Sequence, residues 1–368
     1  MAEQMIGARM KALRQERGLS QDGMAHVFGF KDRQTVSAIE TGVRRVSATE
    51  LLQAAEKFQV PLDYFTDPFR VAGEIRFSWR QSGVGPSELA TYERTAGSWV
   101  GAYRTLSAQI GKRSPLMRRA LGLTKAAKLN DAVDAGERFT SEFELGKVPA
   151  HRLAGVMQEQ LGILVLMVDA YQGISGAACR LPELDAVLIA RREVAGRRNF
   201  DLAHEFFHIL TWEAMPPAHV EEPVDSGGNR IEQLANSFAS ALLMPKEVVE
   251  SLADWRRLEG DNLIAHLNAT ADELSVTSSA LRWRLVTLGH LTNAIARALP
   301  EALLRNNGRK QSEETLPLLF SRSYAEVVAT AIKRGYLSVR RAARLVGMTI
   351  EGLDELFTAH GLKYALAL

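Results

Sequence analysis

The sequence holds a single cysteine, Cys179, among 368 residues. One thiol makes no internal disulfide and no Cys-Cys metal pair, so any metal has to be held by histidines and carboxylates. Cys179 itself reads as a small buried hydrophobe. No apolar run approaches the roughly 18 residues of a membrane span, and Met1 to Lys11 has no apolar core of a signal peptide. A cytoplasmic protein without membrane contact is therefore expected. Internal repeats, a glycine-rich phosphate loop and a Ser-His-Asp arrangement are missing too, which removes solenoid, nucleotide-hydrolysing and serine-hydrolase readings. Long polar tracts are also lacking. With 46% hydrophobic and 24% charged residues the chain builds a globular core, and its length suits two or three domains.

The net charge of +2 hides an uneven distribution. Residues 1–66 carry 9 Lys/Arg against 8 Asp/Glu, residues 69–130 carry 11 against 3, and residues 131–368 sum to −6. The local excess of +8 in the second stretch (11 minus 3) fits either a nucleic-acid contact zone or a solvated helical connector.

From Ile6 to Phe65 the pattern is a run of short amphipathic helices. Ile6, Met10 and Leu13 line one face of the first, with Arg9, Lys11, Arg14 and Arg17 between them, and Gly18 stops it. Ser20 is the N-cap of a second helix that runs through Met24 and Ala25 to Phe28 and ends at Gly29. A third runs from Asp32 to Glu40, burying Val36 and Ile39 and leaving Arg33, Gln34, Thr35 and Ser37 outside; Gly42 closes it. Such polar side chains near a helix start suit major-groove reading, although a plain bundle with a polar face has the same periodicity. Leu13-Arg14, Gly18-Leu19-Ser20-Gln21, Ala25, Val36-Ser37-Ala38-Ile39-Glu40 and Gly42 resemble the lambda-repressor-like (XRE-type) helix-turn-helix family. That resemblance implies a double-stranded DNA operator as partner. It implies that Gln21 touches the DNA backbone, that Arg33, Gln34, Thr35 and Ser37 face the bases, that Arg44 and Arg45 lie beside phosphate, and that Glu40 is structural. Such domains usually bind as homodimers.

After Asp67-Pro68, Ile75 to Arg80 is strand-like and Gly83 to Pro86 breaks the chain, so a hairpin or short strand is expected. Leu89, Tyr92, Trp99, Tyr103 and Leu106 then form the buried stripe of one helix from Glu88 to Ile110.

The most informative residues begin at Arg198. His204 and His208 are four apart, so on a helix they lie about 40° apart around the axis and can hold one ion. Glu205 follows the first histidine, giving H-E-x-x-H, in which the metal lowers a water's pKa from about 16 toward about 7 and the glutamate takes its proton. Phe200, Leu202, Ala203, Phe206, Phe207, Ile209 and Leu210 make the helix nearly all apolar, where three polar groups are costly unless a metal or partners satisfy them. The extended metzincin pattern needs Gly at 211 and His at 214; Thr211 and Ala214 stand there and exclude it. A third ligand is expected downstream, among Glu213, His219, Glu221, Glu222, Asp225 and Glu232. Glu232 is preferred because it opens a strong helix, Ile231 to Met244, and shares a face with the small Ala235 and Ala239.

Arg198 to Leu210, with Glu232-Gln233-Leu234-Ala235-Asn236-Ser237-Phe238-Ala239 and Ala241-Leu242-Leu243-Met244-Pro245, resemble the ImmA/IrrE family of bacterial metallopeptidases. By that resemblance Zn2+ is held by His204, His208 and Glu232, and Glu205 is the general base. Ile163 to Val168 and Ala186 to Ile189 become strands of a small sheet whose edge aligns the substrate. Phe206 and Phe207 are bulkier than the commonest residues between the ligands, which bears on pocket shape rather than on the metal.

Two further stretches, Leu274 to Gly289 and Leu337 to Thr349, also resemble helix-turn-helix patterns and are read as packed support rather than extra DNA readers. Asn306 to Glu314 is read as a loop. The expected fold is mainly α with a small β-sheet (α+β). Its organisation is a helix-turn-helix domain at 1–67, a basic connector with hairpin and helix at 68–135, a zincin-like peptidase domain at 136–290, and a C-terminal helical module at 291–368. The function expected is transcriptional regulation coupled to zinc endopeptidase cleavage, and the family resemblance implies that the protein cleaved is repressor-like, or this chain itself, under stress or on demand of a mobile element. The alternative is a non-proteolytic repressor or antitoxin-like sensor whose peptidase-like fold binds a ligand or partner protein.

Overall fold

The computed structural model describes residues 2–71, 73, 75–112, 116–221, 229–305 and 316–362. The loop expected from Asn306 to Glu314 lies outside them. Five helices open the chain: α1 (Ala2–Glu16), α2 (Gln21–Phe28), α3 (Arg33–Glu40), α4 (Ala48–Phe58) and α5 (Asp63–Thr66). Local capping sets their boundaries. Ser20 accepts from the Gly23 N–H at 2.9 Å and Asp32 from the Thr35 N–H at 2.8 Å, while Ser47 and Glu50 form a reciprocal capping box. Met10, Leu13, Met24, Val36, Ile39 and Phe58 belong to a hydrophobic core of this unit's own. Gly42 turns the chain after α3 at φ +74°, where a Cβ would stand 2.9 Å from Gln4 Cα, so both conformation and space call for glycine.

The remaining elements are β1 (Arg76–Gln81), α6 (Pro86–Gln109), α7 (Leu129–Glu142), α8 (Leu153–Glu159), β2 (Leu164–Val168), β3 (Ile174–Leu181), β4 (Leu184–Ala190), α9 (Ala195–Thr211) and α10 (Arg230–Leu243). They continue as α11 (Lys246–Leu252), α12 (Gly260–Leu274), α13 (Ser278–Thr287), α14 (Asn293–Ala298), α15 (Arg322–Lys333), α16 (Val339–Val346) and α17 (Ile350–Ala359). The architecture is the expected mainly helical α+β one, with a four-stranded sheet in the order β1-β3-β4-β2. β1 and β4 both run antiparallel to β3, and β2 runs parallel to β4.

Side chains alternate along the strands with period two and divide between two cores. Ile163, Val165, Ala178, Val187 and Ile189 face the helices α7, α9, α10, α12 and α13. Leu164, Leu166, Cys179, Leu184 and Leu188 face α6 and α15 to α17. Cys179 is fully buried in that second core. The two helix-turn-helix-like stretches serve the cores: Leu274, Leu281 and Leu285 pack in the first, Ala342, Ala343 and Val346 in the second.

The strand expected around Ile75 to Arg80 forms, but it closes no local hairpin. It pairs with β3, Arg76 opposite Arg180 and Trp79 opposite Ala177, and so becomes the sheet's edge. Trp79 and Phe77 point into the second core, which turns Ser78 and Arg80 to the opposite face. Part of the cationic excess of this stretch is met by carboxylates elsewhere: Arg118 pairs with Asp185 at 3.2 Å, Arg119 with Glu142 at 2.5 Å, and Lys112 with Glu326 at 2.7 Å.

Candidate metal centre

α9 is buried on nearly every side from Asp201 to Thr211, lying between β3 and β4 on one flank and α10 on the other. A helix that is apolar nearly all round is a core helix, and His204, Glu205 and His208 are polar exceptions within it, with Asp201 and Thr211 at the ends of the stretch. His204, Glu205 and His208 have no exposed surface. Gly176 of β3 lets the sheet come down onto them: a Cβ there would lie 3.5 Å from Glu205 Cγ and 2.9 Å from the Leu188 carbonyl oxygen. On the other flank, Gly136 of α7 admits the backbone of α10, where a Cβ would stand 2.6 Å from the Phe238 oxygen. Phe206 and Phe207 fill the space between, Phe206 against Phe139 and Phe207 against Phe238.

Four donors converge. His204, His208, Glu221 and Glu232 each offer one atom, all within 4.8 Å of one another and all buried. His204 Nε2 stands 3.1 Å from Glu232 Oε2, 3.1 Å from His208 Nε2 and 3.6 Å from Glu221 Oε2. His208 Nε2 is 3.5 Å from Glu221 Oε1 and 3.6 Å from Glu232 Oε1. No single proton on an imidazole nitrogen serves that many acceptors at once, whereas one cation among them does. His204 Nδ1 donates to Asn236 Oδ1 at 2.9 Å, which orients the ring and leaves Nε2 for the cluster. The donor set therefore fits a divalent metal, and two imidazoles with carboxylates suit zinc chemistry.

Arg80 completes the cluster from β1. Its Nε is 3.0 Å from Asp201 Oδ1, and its Nη1 lies 3.2 Å from Glu221 Oε2 and 3.0 Å from His204 Nε2. Both carboxylate oxygens of Glu205 lack a hydrogen-bond partner. Burial, followed by the neighbouring charge of Glu221, pushes the Glu205 carboxyl well above its ordinary value of 4.5. Glu221 and Glu232 go the other way. Burial opposes their ionisation, yet His204 and His208 hold Glu221 down at about 2 and Glu232 lower still. At His204, burial and Arg80 disfavour the charged ring, and Glu221 and Glu232 outweigh both, so its proton affinity is raised.

Of the third-ligand candidates, Glu232 and Glu221 both reach the cluster. Glu213 is exposed and pairs with Arg180, and His219 pairs with Glu93 at 2.7 Å. Glu222 and Asp225 lie outside the described residues. Sequence reasoning did not pick out Arg80 or Asn236. The signal for Asn236 was its place one turn after Glu232 on the same helix face; Arg80 gave only its alternation with Trp79.

At the other end of the chain, Arg33 and Gln34 stand exposed at the start of α3, while Thr35 and Ser37 are half-buried. The Thr35 hydroxyl donates to Asp32 at 3.0 Å. Gln21 donates to Glu40 Oε2 at 2.9 Å, and Arg14 binds the same carboxylate at 3.1 Å, so Glu40 is a buried brace. Arg44 pairs with Glu50 at 2.8 Å, and the exposed Arg45 lies 3.1 Å from Glu3.

Comparison with known proteins agrees with both ends. Residues 10–65 match the helix-turn-helix family, and residues 158–285 match the IrrE N-terminal-like domain. Over 291 residues the chain is 23% identical to the HTH-type transcriptional regulator PrpR of Mycobacterium tuberculosis (strain ATCC 25618 / H37Rv), a match covering 70% of this chain and 59% of that relative. The chain thus matches less than two thirds of the relative's length. No solved structure matches. Among the described residues no helix is long and apolar enough to cross a membrane. With a capped helix-turn-helix at one end and the H-E-x-x-H helix in its sheet-and-helix setting at the other, the chain is a fusion of an XRE-type helix-turn-helix domain to an IrrE N-terminal-like domain.

Proposed function

We propose that this chain is a DNA-binding transcriptional regulator whose IrrE N-terminal-like domain hydrolyses a peptide bond with the help of zinc. His204, His208 and Glu232 would hold the ion. The observation that carries the reading is the convergence of their donor atoms beside Glu205, a buried carboxylate with no hydrogen-bond partner of its own. Zinc bound there would supply Lewis-acid chemistry, acidifying water and polarising the scissile carbonyl. Glu205 accepts a proton from the attacking water on a carboxylate oxygen and returns it to the leaving amine nitrogen as the C–N bond breaks. Asn236 holds the His204 ring in one orientation, and the apolar walls of α9 and the sheet keep bulk water out.

The substrate in this reading is a repressor-like protein or a second copy of this chain, and the regulated partner is double-stranded DNA bound by a homodimer. Arg33 and Gln34 are the residues best placed to meet base edges. The name of the matched relative, a transcriptional regulator, supports the regulatory half. Glu205→Gln tests the chemistry: cleavage of candidate repressors should vanish while about one zinc per chain is retained. Persistent cleavage sinks the mechanism. One observation favours the second reading, a sensor that cuts nothing: with Glu221 in the cluster, protein donors alone number four, the count of a closed structural zinc site.

A further inference from the structure

The outer edge of β1 is filled by the chain itself. The Trp79 N–H donates to the His219 carbonyl at 2.9 Å, and the Trp79 carbonyl accepts from the Glu221 N–H at 3.0 Å, a parallel bridge centred on Val220. Three further contacts fasten these residues. Glu93 Oε2 takes both the Trp79 indole N–H at 2.6 Å and His219 Nε2 at 2.7 Å; Val220 packs against the second core; and Arg80 holds Glu221 Oε2 at 3.2 Å. Strand addition of this kind is how an exposed sheet edge takes an extended peptide. Here it brings a carboxylate onto the two histidines.

We propose that His219–Glu221 is a built-in occupant of the β1 edge that delivers Glu221 to the metal as a fourth protein ligand, closing the ion to water for as long as the pairing with Trp79 lasts. The inference rests on the zinc-centre reading above and adds its regulation: a catalytic zinc keeps one position free, and this one is taken. An extended polypeptide competing for the N–H and C=O of Trp79 would withdraw Glu221 and open the ion, so substrate binding and activation become one event. Glu232 differs in kind, because α10 anchors it by a full helix, whereas Glu221 is held by a short bridge of two backbone hydrogen bonds, the Arg80 ion pair and the contacts of its two neighbours.

The test uses the full chain loaded with cobalt(II) in place of zinc, read by visible absorption, with acetohydroxamate as a probe for an open coordination position. Wild type should bind one cobalt and keep its spectrum on adding the probe. Glu221→Gln should still bind one cobalt, at least about tenfold more weakly since even outer-shell changes cost that much, and its spectrum should shift with the probe. Val220→Gly keeps every donor side chain but loosens the bridge and its packing on the second core, so it should still bind one cobalt, more weakly than wild type, and respond to acetohydroxamate. A wild-type spectrum that moves as readily as that of Glu221→Gln overturns the inference, as does a Val220→Gly protein that stays silent. Failure of wild type to bind cobalt at all overturns the metal centre itself, a result distinct from either.

Discussion

The two ends of this molecule handle polar side chains in opposite ways. In the helix-turn-helix unit Arg33 and Gln34 of α3 stand toward solvent, and the residues that define the element are neighbours in sequence: Asp32 caps α3, Ser20 caps α2, and Ser47 with Glu50 caps α4. In the metal centre five ionisable groups, His204, Glu205, His208, Glu221 and Glu232, are each no more than 7% exposed. They and Arg80 arrive from four places, β1, α9, the residues before 222, and α10. A recognition surface needs only that its helix form, whereas a buried polar cluster needs every contributor present, because each group left unpaired costs several times a surface contact. Damage should therefore stay local at one end and spread at the other.

The strongest way to break the contrast is at Trp79, which is fully buried, stacks on Phe77 at 5.0 Å and hydrogen-bonds His219 and Glu221 through its backbone. Trp79→Ala should cost about 3–5 kcal/mol of stability by denaturant unfolding. It should also impair metal binding, although it is not a ligand; an unchanged metal affinity would separate the sheet edge from the cluster. Next comes Asn236→Ala, which frees the His204 ring. It should weaken zinc about 10–100-fold in a competition titration, with operator binding untouched.

Replacing Arg33 by Ala should do the reverse, weakening DNA binding by about 1–3 kcal/mol in a gel-shift series against selected genomic fragments. Melting should stay within about 0.5 kcal/mol of wild type, as expected for an exposed position. The smallest effect is expected at Ser47→Ala, about 1 kcal/mol from one lost cap. Its partner Glu50 sharpens the comparison through pH. The hydrogen bond from Arg44 holds the Glu50 carboxyl below its ordinary 4.5, so its contribution is present above that pH and lost as pH falls through the lower folded value. Acid titration of the wild type should erase the difference between it and Glu50→Gln.

The same contrast explains what could be read from the sequence. The boundaries of α2 and α3 follow from Ser20, Gly29, Asp32 and Gly42, local signals that need no tertiary knowledge. H-E-x-x-H is local as well, and Glu232 stood out because Ala235 and Ala239 mark a helix built for close approach. β3 did not stand out: Ile-Ser-Gly-Ala-Ala-Cys-Arg-Leu is poor in the branched and aromatic residues that announce a strand, since small side chains there leave room for Glu205 beneath Gly176. Arg80 was hidden because its role depends on β1 pairing with a strand far along the chain rather than in a hairpin. Glu221 was one of six candidates, five acids and a histidine, and the bridge to Trp79 is what singles it out.

That remote pairing has a practical consequence for dissecting the protein. β1 lies outside residues 158–285, the stretch that matches the IrrE N-terminal-like domain. A fragment trimmed to that match would lose Arg80 and would leave β3, still paired with β4 on one side, with its β1-facing edge bare. Such edges recruit one another, so the truncated piece should clump on expression while a fragment starting before Arg76 stays monodisperse.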